Sequence, residues 1–339
     1  MQPKNLNRRD LFKLGAVVAV GGSAGLTTPA LARAPDYPTR PIRIVIPFGT
    51  GGYNDRLART FQPFLRQELG QPLSISNLPG AGTLLGNSHF MQQADDGYTI
   101  MCTSATPYIP ASIVRHRAPY KVEDFFMLNL PSRDATLAAT SRGSRLENWG
   151  QVIEQLRANP RSLSLGMQPG SADGANMVLA LEAEGIDIRQ VRIVTYDGGG
   201  PARTAAAGGH VDVGFVGAAG FLPLRPQIRP LLVFASDPVS GFEETETVAQ
   251  YATRRGVTIP FMAGSQRGWV VHTSFTKKHP ERYKFLLGAL ERATKNPESV
   301  RTLEAQRLGR VWHGPEESNR AYLATSEMIK RYAHLFRPA

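Results

Sequence analysis

Along the 339-residue chain, short apolar runs alternate with longer segments whose apolar positions recur at helical spacing. Residues 44–46 form the first apolar run and predict a buried strand, which Pro47 ends. Residues 57–69 carry apolar side chains on one helical face, and Gly70 ends that helix. Between these elements, the sequence Gly-Thr-Gly-Gly at 49–52 predicts a tight turn. Such a turn aims backbone N–H groups and the positive end of a helix at the space above the strand, which favours an anion, although a turn that binds nothing fits the pattern equally well.

The alternation of strand and helix continues beyond this first unit and later restarts. The connections are short and contain glycine, which predicts parallel sheets covered by helices on both faces. Three loops, at 49–52, 80–83 and 104–106, are expected at the carboxyl edge of the first sheet, where open α/β sheets bind ligands. Further strands are predicted at 73–76, 98–103, 163–167, 191–196, 211–215 and 231–235, with a return strand within 262–273.

The two alternating blocks and the helical tail that follows them predict two α/β lobes. We expect a discontinuous first lobe at 35–138 plus 263–339, because the tail is expected to pack back on the first block. The second lobe is expected at 139–262.

The first 34 residues have the order of parts of an export signal. Arg8 and Arg9 precede an apolar, glycine-rich run at 14–26, and an Ala-x-Ala site ends the segment. This order predicts a signal peptide of the twin-arginine type, cleavage after Ala32 or Ala34, and a periplasmic protein. An uncleaved anchor is the alternative.

The composition argues against several classes of function. The formal net charge is +11, but no basic block is interleaved with aromatic residues, so no nucleic-acid partner is predicted. Cys102, the only cysteine, lies in an apolar run and is interpreted as a core residue. The histidines lack zinc-site spacing and no complete dinucleotide or Walker loop occurs, so neither a metal nor a cofactor is expected.

No group of residues in the sequence supports catalysis. The single Gly-x-Ser-x-Gly pattern, at 21–25, lies inside the predicted signal peptide and is a false match to a hydrolase nucleophile elbow. An exported α/β hydrolase whose catalytic residues converge only in space remains the alternative function.

Several stretches of the sequence together form a recognisable pattern. They are Tyr37-Pro38-Thr39-Arg40-Pro41-Ile42, Ile44-Val45-Ile46-Pro47-Phe48-Gly49-Thr50-Gly51-Gly52-Tyr53-Asn54-Asp55, and residues 70–72, 77–82, 96–99, 196–201 and 208–212. In order and spacing they resemble the periplasmic receptors of tripartite tricarboxylate transporters, the Bug-type solute-binding proteins. The resemblance implies a two-lobed, type II periplasmic-binding fold with an interlobe cleft. It also implies a monomer that captures a small organic carboxylate for a membrane permease or sensor and catalyses no reaction.

The same resemblance implies which residues hold the ligand, largely through backbone amides. At Asp55 a role as helix cap competes with ligand contact, because its carboxylate would repel an anion. Tyr53 and Tyr108 are open between lining the cleft and covering sheet edges. The implied ligand-binding positions are Phe48, Thr50, Gly51, Gly52, Tyr53, Asn54, Asp55, Thr103, Ser104, Ala105, Thr106, Gly170, Ser171 and Tyr196.

One departure from the family pattern bears on the ligand. Family members that take amino acids carry an acidic residue just after the strand that matches residues 208–215. Here that place reads Phe215-Val216-Gly217-Ala218, so we expect a carboxylate that lacks an amine.

Overall fold

The structure, a computed structural model, describes residues 36–196 and 198–336. The predicted signal peptide lies outside these residues. The strands are β1 Ile42–Ile46, β2 Leu73–Asn77, β3 Thr99–Thr106, β4 Phe125–Arg133, β5 Thr136–Ser141, β6 Ser164–Met167, β7 Arg192–Thr195, β8 Val213–Gly217, β9 Ile228–Phe234 and β10 Gln266–His272. The helices are α1 Tyr53–Leu69, α2 Leu84–Met91, α3 Tyr108–His116, α4 Trp149–Ala158, α5 Ala172–Ala183, α6 Gly199–Ala207, α7 Ala218–Phe221, α8 Val248–Arg255, α9 Thr273–Lys278, α10 Pro280–Lys295, α11 Pro297–Ala305 and α12 Gly314–Arg331.

The first sheet has the strand order β2-β1-β3-β10-β4. Strand β1 pairs in parallel with β2 and β3, whereas β10 runs antiparallel between β3 and β4. The predicted return strand is therefore confirmed, and it completes a sheet that began more than 200 residues earlier in the chain.

The second sheet has the strand order β7-β6-β8-β5-β9. Strand β6 pairs in parallel with β7 and β8, whereas β5 runs antiparallel to β8 and β9. Both sheets are thus mixed, because each takes in a strand next to the place where the chain crosses between them. Strand β5 belongs wholly to this sheet, and the predicted division of the chain at residue 138 stays a prediction.

Each sheet buries apolar side chains on both of its faces, as the pattern of apolar runs predicts. In the first sheet, Trp269 packs on Phe61 with ring centroids 5.2 Å apart, and Cys102 is fully buried nearby. In the second sheet, Trp149 meets Phe215 edge to face at 5.8 Å. Each lobe therefore has an extensive core of its own.

The C-terminal helices pack on the first sheet. On α12, the Asn319 side chain accepts a hydrogen bond from the Met127 N–H at 3.0 Å and donates one to the Met127 carbonyl at 2.9 Å. This pairing fastens the tail to the edge strand β4. Among the described residues, no helix combines the length and the apolar character that crossing a membrane requires.

Two local predictions about the first lobe are wrong. Residues 104–106 were expected in a loop, but β3 continues to Thr106 because Gln266 of β10 pairs opposite it and extends the ladder. Asp55 was offered as a cap of helix α1, but the N-cap of this helix is Gly52, which makes no side-chain cap.

The two segments in which the chain crosses between the sheets lie side by side. The Asp134 N–H donates to the Ser265 carbonyl at 3.2 Å. Gly264 lies so close that a Cβ on it would meet the Asp134 carbonyl carbon at 2.7 Å, so any larger residue there would force the crossing segments apart. This contact fixes Asp134 at the junction of the two lobes.

Candidate ligand-binding cleft

A cleft of about 570 Å³ lies where loops of the two sheets meet. Its volume is within the range of about 300–1,000 Å³ that small-molecule sites occupy. The cleft takes in seven of the ligand-binding positions expected from the sequence, and all but one belong to the loop and helix start that follow β1. They are Phe48, Thr50, Gly51, Gly52, Tyr53, Asn54 and Ser104.

The remaining expected positions do not line the cleft. Ser171 is the N-cap of α5, and its hydroxyl accepts a hydrogen bond from the Gly174 N–H at 3.0 Å. Gly170 precedes it in a left-handed turn (φ 70°), and half-buried Tyr196 packs near Gly166. Thr103, Ala105 and Thr106 are fully buried inside β3, and Asp55 is buried beneath the first loop.

The start of α1 offers unpaired backbone donors to the cleft. The N-cap Gly52 has no side chain, and within the described part of the chain the N–H groups of Tyr53 and Asn54 have no acceptor. The first N–H groups of a helix lack intrahelical partners and, with the helix dipole, favour a negative charge. The cleft therefore has a built-in preference for an anion at this end.

Asp55 stabilises the first loop from below. Its carboxylate accepts hydrogen bonds from the Gly51 N–H at 2.8 Å and from Arg59 Nε at 2.9 Å. Burial alone would raise the pKa of Asp55, but the bonds from Arg59 and Gly51 outweigh burial and lower it. An ionised Asp55 thus holds the turn in shape, and the Gly51 N–H is already occupied.

A second helix start lies on the opposite side of the cleft. Helix α6 begins after Gly198, which makes no side-chain cap, and Gly198, Gly199 and Gly200 all line the cleft. The two glycine-rich helix starts, α1 from the first lobe and α6 from the second, therefore face one space.

Four arginines add positive charge to the cleft, among them Arg267 and Arg203. Arg267 on β10 places Nη1 3.3 Å from Asp134 Oδ2, and its guanidinium lies 4.5 Å from the centre of the Tyr53 ring. Burial acts to lower the pKa of Arg267, yet Asp134 and Tyr53 hold it above the usual value. Arg203 on α6 approaches from the second lobe.

Glycines make room for these charged groups. A Cβ on Gly220 would lie 2.5 Å from the guanidinium carbon of Arg203, and a Cβ on Gly217 would lie 2.8 Å from the carboxylate carbon of Asp134. The Asp134 carboxylate also accepts the Ala219 N–H at 2.9 Å. Because Gly217 and Gly220 have no side chains, the turn between β8 and α7 leaves space for the Asp134 and Arg203 side chains.

Asp173, in the first turn of α5, supplies a second carboxylate. Its Oδ1 accepts a hydrogen bond from the Thr136 hydroxyl at 2.6 Å, and the residue is 9% exposed. Burial raises the pKa of Asp173 to about 6, against the hydrogen bond from Thr136, which lowers it. Tyr108 lines the cleft beside it, edge to face with Phe48 at 5.2 Å, which answers the question that the sequence left open.

Sequence reasoning missed the charged residues of the cleft, which are Arg56, Arg203, Arg267, Arg307, Asp134 and Asp173. Arginine in a helix or strand has no local pattern, and the Arg267–Asp134 pair joins residues 133 positions apart. The sequence correctly shows no acid at 215–218, but the structure brings two carboxylates into the cleft from other segments.

Comparison with known proteins agrees with this architecture. The Bordetella pertussis protein BugT is 28% identical over 262 residues, which cover 75% of this chain and 78% of BugT. The solved structure of MatC from Rhodopseudomonas palustris with bound malate superposes with a TM-score of 0.68 at 22% identity, covering 88% of this chain and all of that one. A second R. palustris structure, with adipate, has a TM-score of 0.69 at 20% identity, covering 89% of this chain and 98% of that one.

At these identities the structural matches establish the shared fold. The family model described as the tripartite tricarboxylate transporter family receptor matches residues 57–332, which include most of both sheets and the whole second lobe. Its members are periplasmic solute-binding receptors. On this match, the chain belongs to the tripartite tricarboxylate transporter receptor family.

Proposed function

We propose that this chain is an extracytoplasmic receptor that captures a small organic carboxylate lacking an amine and delivers it to a membrane permease or sensor. It works as a monomer and reaches the periplasm through a twin-arginine signal. The observation that carries the proposal is the meeting of two uncapped helix starts and two half-buried arginines in one cleft between the lobes.

The charge of the cleft supports an anionic ligand. Four arginines line it, Arg56, Arg203, Arg267 and Arg307, against the two carboxylates of Asp134 and Asp173. Closing the lobes would remove water from this space and strengthen each charge-assisted hydrogen bond to a carboxylate.

The relatives support a carboxylate in particular, because the R. palustris structures hold malate and adipate. Asp134 pairs with Arg267, and Oδ1 of Asp173 accepts the Thr136 hydroxyl. The four arginines that line the cleft would repel an ammonium group, which supports a ligand without an amine.

The hydrolase alternative has no support in the geometry. It requires a serine or aspartate within hydrogen-bond reach of a histidine in the cleft. Across residues 36–196 and 198–336, no histidine lines the cleft. We therefore propose a binding role without catalysis.

A thermal-shift screen of the mature chain against mono-, di- and tricarboxylates tests this function. At 100 times its dissociation constant, a ligand stabilises the folded state by about 2.7 kcal/mol, enough to raise the melting temperature by several degrees. We expect at least one carboxylate to produce that shift. The amino acid with the same carbon skeleton should produce none. If every carboxylate fails while unrelated compounds stabilise the protein, the proposal is wrong.

Substituting Gly220→Ala is expected to weaken carboxylate binding about tenfold, because the new methyl group would displace the Arg203 guanidinium. The group that must move is the far end of a flexible side chain, so the melting temperature should barely change. Gly143→Ala is the matched control, since its added methyl meets nothing within 4 Å. Calorimetric titration measures the affinity, and equal affinities for the two variants would contradict the role given to Arg203.

A further inference from the structure

We propose that Asp173 selects for a hydroxyl group on the bound carboxylate, so that the ligand is a hydroxycarboxylate. This inference rests on the proposed function and makes its ligand more specific. It depends on one oxygen of the buried Asp173 carboxylate, Oδ2. Asp173 lines the cleft with 9% of its surface exposed, and Oδ1 is engaged by Thr136, but Oδ2 has no hydrogen-bond donor within the described part of the chain.

The surrounding network holds that carboxylate in one orientation. The Thr136 hydroxyl, which donates to Asp173, itself accepts the Asn176 side-chain N–H at 2.9 Å. Two hydrogen bonds to the Met262 backbone fix Asn176 in turn. The Asn176 side chain accepts one from the Met262 N–H at 2.7 Å and donates one to the Met262 carbonyl at 3.0 Å. Thr136 and Asn176 are both fully buried. A buried acceptor oriented by such a chain of partners is pre-organised for one donor at a defined position.

The neighbouring charges indicate what kind of donor fits. Arg267 from β10 and Arg203 from α6 act on Asp173, as does Asp134 from the crossing segment. Tyr108 from α3 also faces it, and burial together with the Asp173 carboxylate raises the pKa of Tyr108. An ammonium would be repelled by the two arginines, which themselves suit the ligand carboxylate. A hydroxyl satisfies Oδ2 without adding charge, and leaving a buried charged acceptor unpaired is costly.

Calorimetric titrations with succinate, malate and aspartate test the inference, because these diacids share one carbon skeleton and differ in a hydrogen, a hydroxyl or an ammonium. We expect malate to bind about tenfold or more tightly than succinate, and aspartate to bind no better than succinate. Glutarate and 2-hydroxyglutarate repeat the comparison on a longer skeleton.

Asp173→Asn is expected to reduce the ratio of malate affinity to succinate affinity to about onefold to threefold, because asparagine still accepts from Thr136 but turns an N–H toward the cleft. Asp237→Asn, at an exposed position of the second lobe, is the matched control and should keep the parent preference. An unchanged preference in Asp173→Asn would overturn the assignment.

The pH dependence gives a readout that a purely structural role would not move. Because burial raises the pKa of Asp173 to about 6, the carboxyl takes up a proton below that pH and becomes a poorer acceptor. The malate-to-succinate affinity ratio should therefore fall on acidification in the parent and stay constant in Asp173→Asn.

A malate-to-succinate ratio near one at all pH values, a ratio that rises on acidification, or tighter binding of aspartate than of malate would each overturn the inference while leaving carboxylate capture intact. Binding of none of these carboxylates on either skeleton would overturn both.

Discussion

Replacing Arg267 with glutamine is expected to weaken carboxylate binding by about ten- to a hundredfold. A hydrogen bond from a charged donor contributes about 1.5–3 kcal/mol when it is buried, and Arg267 is 14% exposed on its side chain. The substitution also leaves the Asp134 carboxylate without its countercharge, so that a negative group would face the incoming anion. Calorimetric titration of the parent and the variant measures the loss.

Two further variants separate charge from fold. Arg267→Lys keeps the charge but not the planar fork, so binding should fall between that of the parent and the glutamine variant. Arg320→Gln removes an arginine that is 70% exposed on α12, and its affinity should equal that of the parent. If Arg267→Gln binds the ligand as tightly as Arg320→Gln does, the guanidinium of Arg267 has no part in capture.

Replacing Trp149 with alanine is expected to lower the free energy of unfolding by about 3–5 kcal/mol. The indole is fully buried in the second lobe, between α4 and the sheet, and it packs edge to face on Phe215. Removing it leaves a cavity that the surrounding side chains fill only in part. Urea denaturation followed by circular dichroism measures the loss.

The matched control is Trp149→Phe, which keeps an aromatic ring against Phe215. The indole Nε1 is buried without a hydrogen-bond partner in the described part of the chain, so phenylalanine loses volume but no hydrogen bond. Its cost should be about half that of alanine or less. Equal costs for the two variants would show that ring packing does not hold this lobe together.

The fold was accessible from the sequence because its signals are local. The apolar run at 44–46, the glycine turn after it and the helical spacing at 57–69 each predict one element, and the structure contains all three. The antiparallel place of β5 in its sheet has no local signal. It depends on pairing with β8 and β9, which lie more than 70 residues later.

The site was only partly accessible for the same reason. Glycine-rich turns are visible in a sequence, so the α1 side of the cleft was predicted from residues 48–54. The end of β3 was misplaced because its last rung depends on Gln266, and only Ser104 of that stretch reaches the cleft. Ser171 follows Gly170 in a turn whose sequence is typical of ligand-binding loops, but its hydroxyl caps helix α5.

The expectation that the ligand lacks an amine depends on residues 215–218 alone. The absence of an acid at 215–218 is correct, yet Gly217 occupies that stretch and makes room for the Asp134 carboxylate from another segment. Ligand chemistry in this cleft therefore depends on the balance between Asp134, Asp173 and the two arginines, which requires the three-dimensional arrangement.

A crystal structure of the mature chain, grown with the carboxylate that gives the largest thermal shift, tests carboxylate capture in the cleft. We expect a carboxylate group within hydrogen-bond distance of the Tyr53 and Asn54 N–H groups or the Arg267 guanidinium, with the α6 start closed over it. Density for the ligand outside this cleft, or an empty cleft at a saturating concentration, would contradict it.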